Sequence, residues 1–117
     1  MSNKPDWYWE KGLHDSEIKS ISYHQLDYDF TKKNPIYNYI LIELDSHNAL
    51  FDTTVESIKF YNAKNLTQDI DYTGAWWVKD ELSVNNGKFV LTIYIQSKKN
   101  MDCLQIQFEK AEVIRNM

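Results

Sequence analysis

The chain of 117 residues is predicted to be one all-β domain, or β-rich with at most one short helix, built of six to seven antiparallel strands in a sandwich, an open barrel or a curled sheet. Three observations predict this. Apolar residues alternate with polar ones through most segments, the period of a half-buried strand. Asn86-Gly87 separates two such runs, and this dipeptide is the strongest short hairpin signal because a type I′ turn needs positive φ at both central residues. The runs are short and bounded by turn residues, and a helical turn is read only as possible, where Leu66 and Ile70 sit four apart.

Residues 16 to 29 read as a long strand whose apolar positions, Ile18, then Ile21, Tyr23, Leu26 and Tyr28, change phase twice. Successive side chains alternate faces, so a bulge or bend is expected near Ile18–Ile21 and another near Gln25. Thr31-Lys32-Lys33-Asn34-Pro35 is a loop, since proline fixes its own φ and restricts Asn34. From Tyr37 to Leu44 the chain is apolar on both faces, as a central covered strand is. Asp45 to Asn48 is a turn. Thr54 to Asn62 is the next strand, with Ile58 and Phe60 facing one way and Val55 and Tyr61 the other. Between Ala63 and Gly74 a single helical turn is possible.

If Asn86-Gly87 makes the turn, Asn85 pairs with Lys88, and Val84, Leu82, Asp80 and Val78 face Phe89, Leu91, Ile93 and Ile95. One side of the hairpin is then Trp76, Val78, Leu82, Val84, Phe89, Leu91, Ile93 and Ile95. The other carries Trp77, Lys79, Glu81, Val90, Thr92, Tyr94 and Gln96. A further strand alternates Leu104, Ile106 and Phe108 with Cys103, Gln105 and Gln107, and Ala111 to Arg115 forms a short last one.

Composition bounds the function. The length fits a single domain over residues 1–117. Net charge is −4, and of thirteen basic residues only Arg115 is arginine, which argues against nucleic acid and anionic membrane as partners. The lone Cys103 excludes an intrachain disulfide and fits a reducing compartment. The N-terminus lacks the apolar stretch of a signal peptide, and no apolar run reaches transmembrane length. A cytoplasmic protein is expected, and the richness in Lys, Asn and Ile suggests a bacterial one. The oligomeric state cannot be read from the sequence.

Four features are candidates for chemistry. His14-Asp15-Ser16-Glu17 is the densest titratable set. It is similar to the His-Asp dyad of phosphohydrolases, which are helical bundles, whereas this segment is extended. A metal-dependent hydrolase using His14, Asp15 and Glu17 would need a further ligand such as His24 or His47, and a turn that starts the strand is the simpler reading. Asp69, Asp71, Thr73, Gly74 and Asp80 match part of a calcium loop, but Trp76-Trp77 and strand-like flanks favour a polar turn. Asp80 falls on the apolar side opposite Ile93, as a perturbed functional carboxylate or as an inward charge guarding a strand edge. Trp7, Trp9, Trp76 and Trp77 are the remaining feature. Trp77 either stands exposed as a binding anchor beside Tyr94 or meets a second layer supplied by Trp7 or Trp9. Cys103 reads as a packed thiol, with a catalytic reading that would need one of the histidines as base. No nucleophile elbow, phosphate loop, zinc motif or glycine fingerprint occurs, and no cofactor is expected.

The segment Trp7…Leu13-His14-Asp15-Ser16-Glu17-Ile18, with Ile58-Lys59-Phe60-Tyr61-Asn62 and Leu104-Gln105-Ile106-Gln107-Phe108 further on, resembles small uncharacterised bacterial domains that begin with Trp and a His-Asp pair before a long strand. Some similar β-rich proteins are immunity partners of polymorphic toxins, acidic binders without chemistry of their own. The expectation is therefore a non-enzymatic protein-binding domain of immunity type. Candidate binding residues are Trp77, Trp7, Trp9, Tyr94, His14 and Asp15. The alternative is a small-ligand or carbohydrate-binding domain with a pocket lined by Trp or Tyr.

Overall fold

The computed structural model describes residues 5–9, 12–24, 28–29, 34–35, 38–49, 53–67, 72–97 and 100–115. These contain no helix. The strands are β1 (Ser16–His24), β2 (Tyr28–Asp29), β3 (Asn34–Pro35), β4 (Tyr39–Asp45), β5 (Val55–Tyr61), β6 (Lys64–Asn65), β7 (Trp76–Asn85), β8 (Lys88–Gln96), β9 (Met101–Phe108) and β10 (Lys110–Arg115). Eight of them form one open antiparallel sheet in the order β10-β5-β4-β1-β7-β8-β9-β6, and β2 pairs with β3 separately. The class is the expected one, with slightly more strands than the six to seven predicted. The expected bend near Gln25 and the calcium-loop positions Asp69 and Asp71 lie outside the described residues.

The sheet rolls onto itself. The residue numbers of each β5–β10 pair from Lys110↔Tyr61 to Ile114↔Ser57 add to 171, and so do Lys64↔Gln107 and Asn65↔Ile106 of β6–β9. The pairs at the two ends of the strand order therefore continue one register line, broken only around Asn62–Ala63 and Glu109. Phe60 of β5 and Phe108 of β9, from opposite halves of the order, touch with ring centroids 4.8 Å apart. One buried cluster fills the roll, including Ile18, Ile42, Ile58, Phe60, Trp77, Leu91, Ile93, Leu104, Ile106 and Phe108.

Three single-residue insertions shape it. The register slips between Ile18 and Ser20 of β1, leaving Lys19 extra, as the phase change in that strand predicts. It slips opposite Ile114/Arg115, leaving Glu56 extra on β5, and between Trp77 and Lys79, leaving Val78 extra on β7. An extra residue sends the side chains beyond it to the other face. That corrects two expectations. Val55 is buried with Ile58 and Phe60 instead of facing away from them. Trp76 and Trp77 exchange faces: Trp77, not Val78, pairs with Ile95 and is 0% exposed, while Trp76 turns outward and is 42% exposed. From Lys79 to Asn85 the hairpin keeps the predicted register, Asp80 opposite Ile93 included. After Ala63 the chain forms β6, which pairs with β9, while Ile70, on which the possible helical turn rested, lies outside the described residues.

Asn86 and Gly87 have φ of 53° and 79°, as a type I′ turn requires. No atom lies within 4 Å of where a Cβ on Gly87 would sit, so a side chain there meets only backbone strain. Gly87→Ala is expected to cost about 1 kcal/mol, read as a lower denaturation midpoint.

Candidate functional site

The N-terminal arm is placed by three tight turns, in which Tyr8 N donates to the Pro5 carbonyl, Gly12 N to Trp9 and Ser16 N to Leu13. These turns carry Tyr8, Trp9 and Leu13 into the core, where Trp9 packs edge-on against Trp77 at 5.6 Å. Trp7 is half-buried and meets Phe89 and Phe108 at 5.6 and 5.7 Å. Of the two sequence readings of Trp77, the second aromatic layer is the one found.

Asp80 is the hub of this layer. Its Oδ2 accepts hydrogen bonds from Trp9 Nε1 at 2.8 Å and Trp77 Nε1 at 2.7 Å, and its Oδ1 accepts from the Tyr8 hydroxyl. Two indoles and a phenol thus satisfy an inward carboxylate, and the arm is clasped to β7 through it. Asp80 also lies where β7 has left β1: only Ser16↔Trp77 and Glu17↔Trp76 pair those strands. An inward charge at such an edge discourages unwanted pairing, in keeping with the edge-guarding reading.

His14 serves the bulge. Its Nδ1 donates to the carbonyl of Val78, the residue the insertion leaves out of the ladder. Its Nε2 is 3.9 Å from Asp15, and Asp15, exposed at φ 75°, turns the chain from the arm into β1. Both are thus explained by local structure. Among the described residues no three His, Cys, Asp or Glu side chains are grouped to hold a metal ion. His24 stacks on Tyr39 at 4.4 Å, and His47 bonds Asp45 at 2.7 Å, so neither joins His14. The His47 hydrogen bond holds the Asp45 carboxyl below its usual range. Ser16, facing inward beside Trp77, has a buried hydroxyl without a partner. Ser16→Ala removes that unpaired group and is expected to raise stability by about 1 kcal/mol, seen as a higher melting temperature.

The exposed aromatic group lies on the outer face of β7, β8 and β9. Trp76 pairs with Gln96, which pairs with Met101, so Trp76 and Met101 flank Gln96 on one face. Met101 is 59% exposed. The next row is Lys79, Tyr94 and Cys103, with the Lys79 ammonium 4.9 Å from the Tyr94 ring centre. Cys103 is exposed, not packed as expected, and partial burial with the nearby Glu81 charge pushes its thiol up, away from a reactive thiolate. Sequence reasoning missed Trp76 because the bulge has no polar marker: Ala75, Trp76, Trp77 and Val78 are all apolar.

A cleft of about 520 Å³ lies elsewhere, between the β4–β5 turn and the Lys19 bulge. Lys19, Glu43, Asp45, His47, Thr54 and Glu56 are among its lining, and among the described residues that lining includes no aromatic ring other than the His47 imidazole. Among the described residues, no helix is long and apolar enough to cross a membrane.

Compared with protein families, curated proteins and solved structures, the chain shows no match.

Proposed function

We propose that this chain is a non-enzymatic protein-binding domain whose contact face is the outer side of β7, β8 and β9, with Trp76 as anchor. The carrying observation is the row Trp76–Gln96–Met101, where two large apolar side chains stand in solvent above a well-packed sheet. Wet Trp and Met on a rigid face, bordered on one side by Lys79, Glu81 and Gln105, have the make-up of an interface centre with a polar rim. His14, Asp15, Trp9 and Trp77 are engaged in holding the arm and the bulge, which leaves them out of the contact. A carbohydrate reading is less well supported, because among the described residues the cleft at the β4–β5 turn has no Trp or Tyr in its lining.

Following the resemblance to immunity partners, the partner we name is a toxin domain encoded beside this chain in a bacterial cytoplasm. The test is growth rescue on co-expression with that neighbour. Wild type restores growth and co-purifies with it; Trp76→Ser and Met101→Ser lose both while melting like wild type. Rescue undiminished in both variants refutes this face as the contact.

A further inference from the structure

Among the described residues the far half of β7 is an open edge with a defined geometry, and it lies apart from the Trp76 row. Beyond Trp77 no described strand pairs with its outer side. In a two-residue type I′ hairpin the flanking pair, Asn85–Lys88, is hydrogen-bonded, and bonded and non-bonded pairs then alternate along the ladder. Ser83 and Glu81 therefore spend their backbone groups on β8, while the N–H and C=O of Leu82 and Val84 point out of the sheet edge. Val84 is also 60% exposed, and Leu82 is half-buried.

The arm decides how much of this edge is usable. Tyr8 and Trp9 sit on Asp80, so a new strand can reach only residues 81–85, and Asn86 leaves the extended region at φ 53°. The midpoint of that window is Ser83.

We infer that a second copy of this chain occupies the edge, antiparallel and related by a two-fold axis through Ser83. In that register Leu82 faces Val84 of the other copy and Glu81 faces Asn85. Leu82 and Val84 are the residues with outward backbone groups, so the two Leu82–Val84 pairs exchange four hydrogen bonds. Their side chains share the inner face and shield each other, Ser83 meets Ser83 at the axis with the least bulk, and no like charges oppose. Moving the axis by one residue fails: centring on Leu82 requires Asp80, which the arm covers, and centring on Val84 requires Asn86, which is in the turn. Five residues a side is a small interface, so the dimer forms reversibly with concentration.

The test is a cysteine pair in a Cys103→Ser background. Two Ser83 residues at a non-bonded position bring their Cα atoms to about 4.5 Å, within disulfide reach. Two Glu81 residues lie four positions apart along the strands, about 13 Å. Mild oxidation is expected to link Ser83→Cys into a dimer and to leave Glu81→Cys unlinked. Light scattering on wild type should show the mass rising towards double with concentration. Val84→Pro removes one outward N–H and no bond to β8, and should stay folded by circular dichroism and monomeric. Equal cross-linking at both positions, no cross-link at Ser83→Cys, or a monomer throughout the concentration series overturns the inference.

Discussion

Replacing Asp80 by alanine is expected to lower the unfolding free energy by about 3–5 kcal/mol, a large share of the 5–15 kcal/mol typical of a domain. The Tyr8 hydroxyl and the Trp9 and Trp77 indole N–H groups all donate to this carboxylate, and the alanine removes that shared acceptor from all three. A hydrogen bond to a charged acceptor is worth about 1.5–3 kcal/mol, and a buried donor left alone costs its desolvation as well. Asparagine is a sharper probe. It keeps the shape and one oxygen but presents an NH₂ to the donors, so about 2–3 kcal/mol is expected. The adjacent Glu81 is exposed, and Glu81→Ala should stay within about 0.5 kcal/mol. Denaturant midpoints followed by tryptophan fluorescence separate these outcomes. A midpoint for Asp80→Ala matching that of Glu81→Ala would mean that the clasp contributes nothing.

The second large effect distinguishes two neighbouring residues of the same type. Trp77→Ala should cost about 4–5 kcal/mol, because it opens a cavity against Trp9 and removes a donor from Asp80. Trp76→Ala should cost under about 1 kcal/mol, since that ring already stands in water. A hairpin without the Val78 insertion puts Trp76 inside and Trp77 outside, and so predicts the opposite order. Thermal unfolding of the two variants, at about 4 °C per kcal/mol for a chain of this size, reads the difference directly. Greater loss in Trp76→Ala would refute the bulge.

How much of this was legible in the sequence depends on whether a polar residue marks the phase. In β1 the step from Ile18 to Ile21 breaks the alternation with Lys19 and Ser20 between, and the bulge is found there. The hairpin register from Lys79 to Asn85 follows from Asn86-Gly87, because turn chemistry fixes which residues face each other. Four consecutive apolar residues around Val78 carry no such mark, so the exchange of the two tryptophans was invisible, and with it the exposed anchor. Asp80 was identifiable as an inward carboxylate, but its donors were not. Two of the three, Tyr8 and Trp9, come from an arm without periodicity, about seventy residues away, and nothing local in Trp7-Tyr8-Trp9 says which ring turns towards it; the third, Trp77, was hidden by the same bulge. The pairing of β6 with β9 was hidden for a similar reason: two residues are too few to show a period.

The shared register line of β5–β10 and β6–β9 sets the order in which the molecule can assemble. Tyr61 pairs with Lys110 and Val55 with Arg115, which are 49 and 60 positions apart (110 − 61 and 115 − 55). The β7–β8–β9 meander closes over much shorter spans, Asn85 to Lys88 being the tightest. Chain entropy must be lost before distant contacts return anything, so the meander condenses early and the final seam late. Mutations along that seam, at Phe60 or Val113, should then speed unfolding far more than they slow refolding.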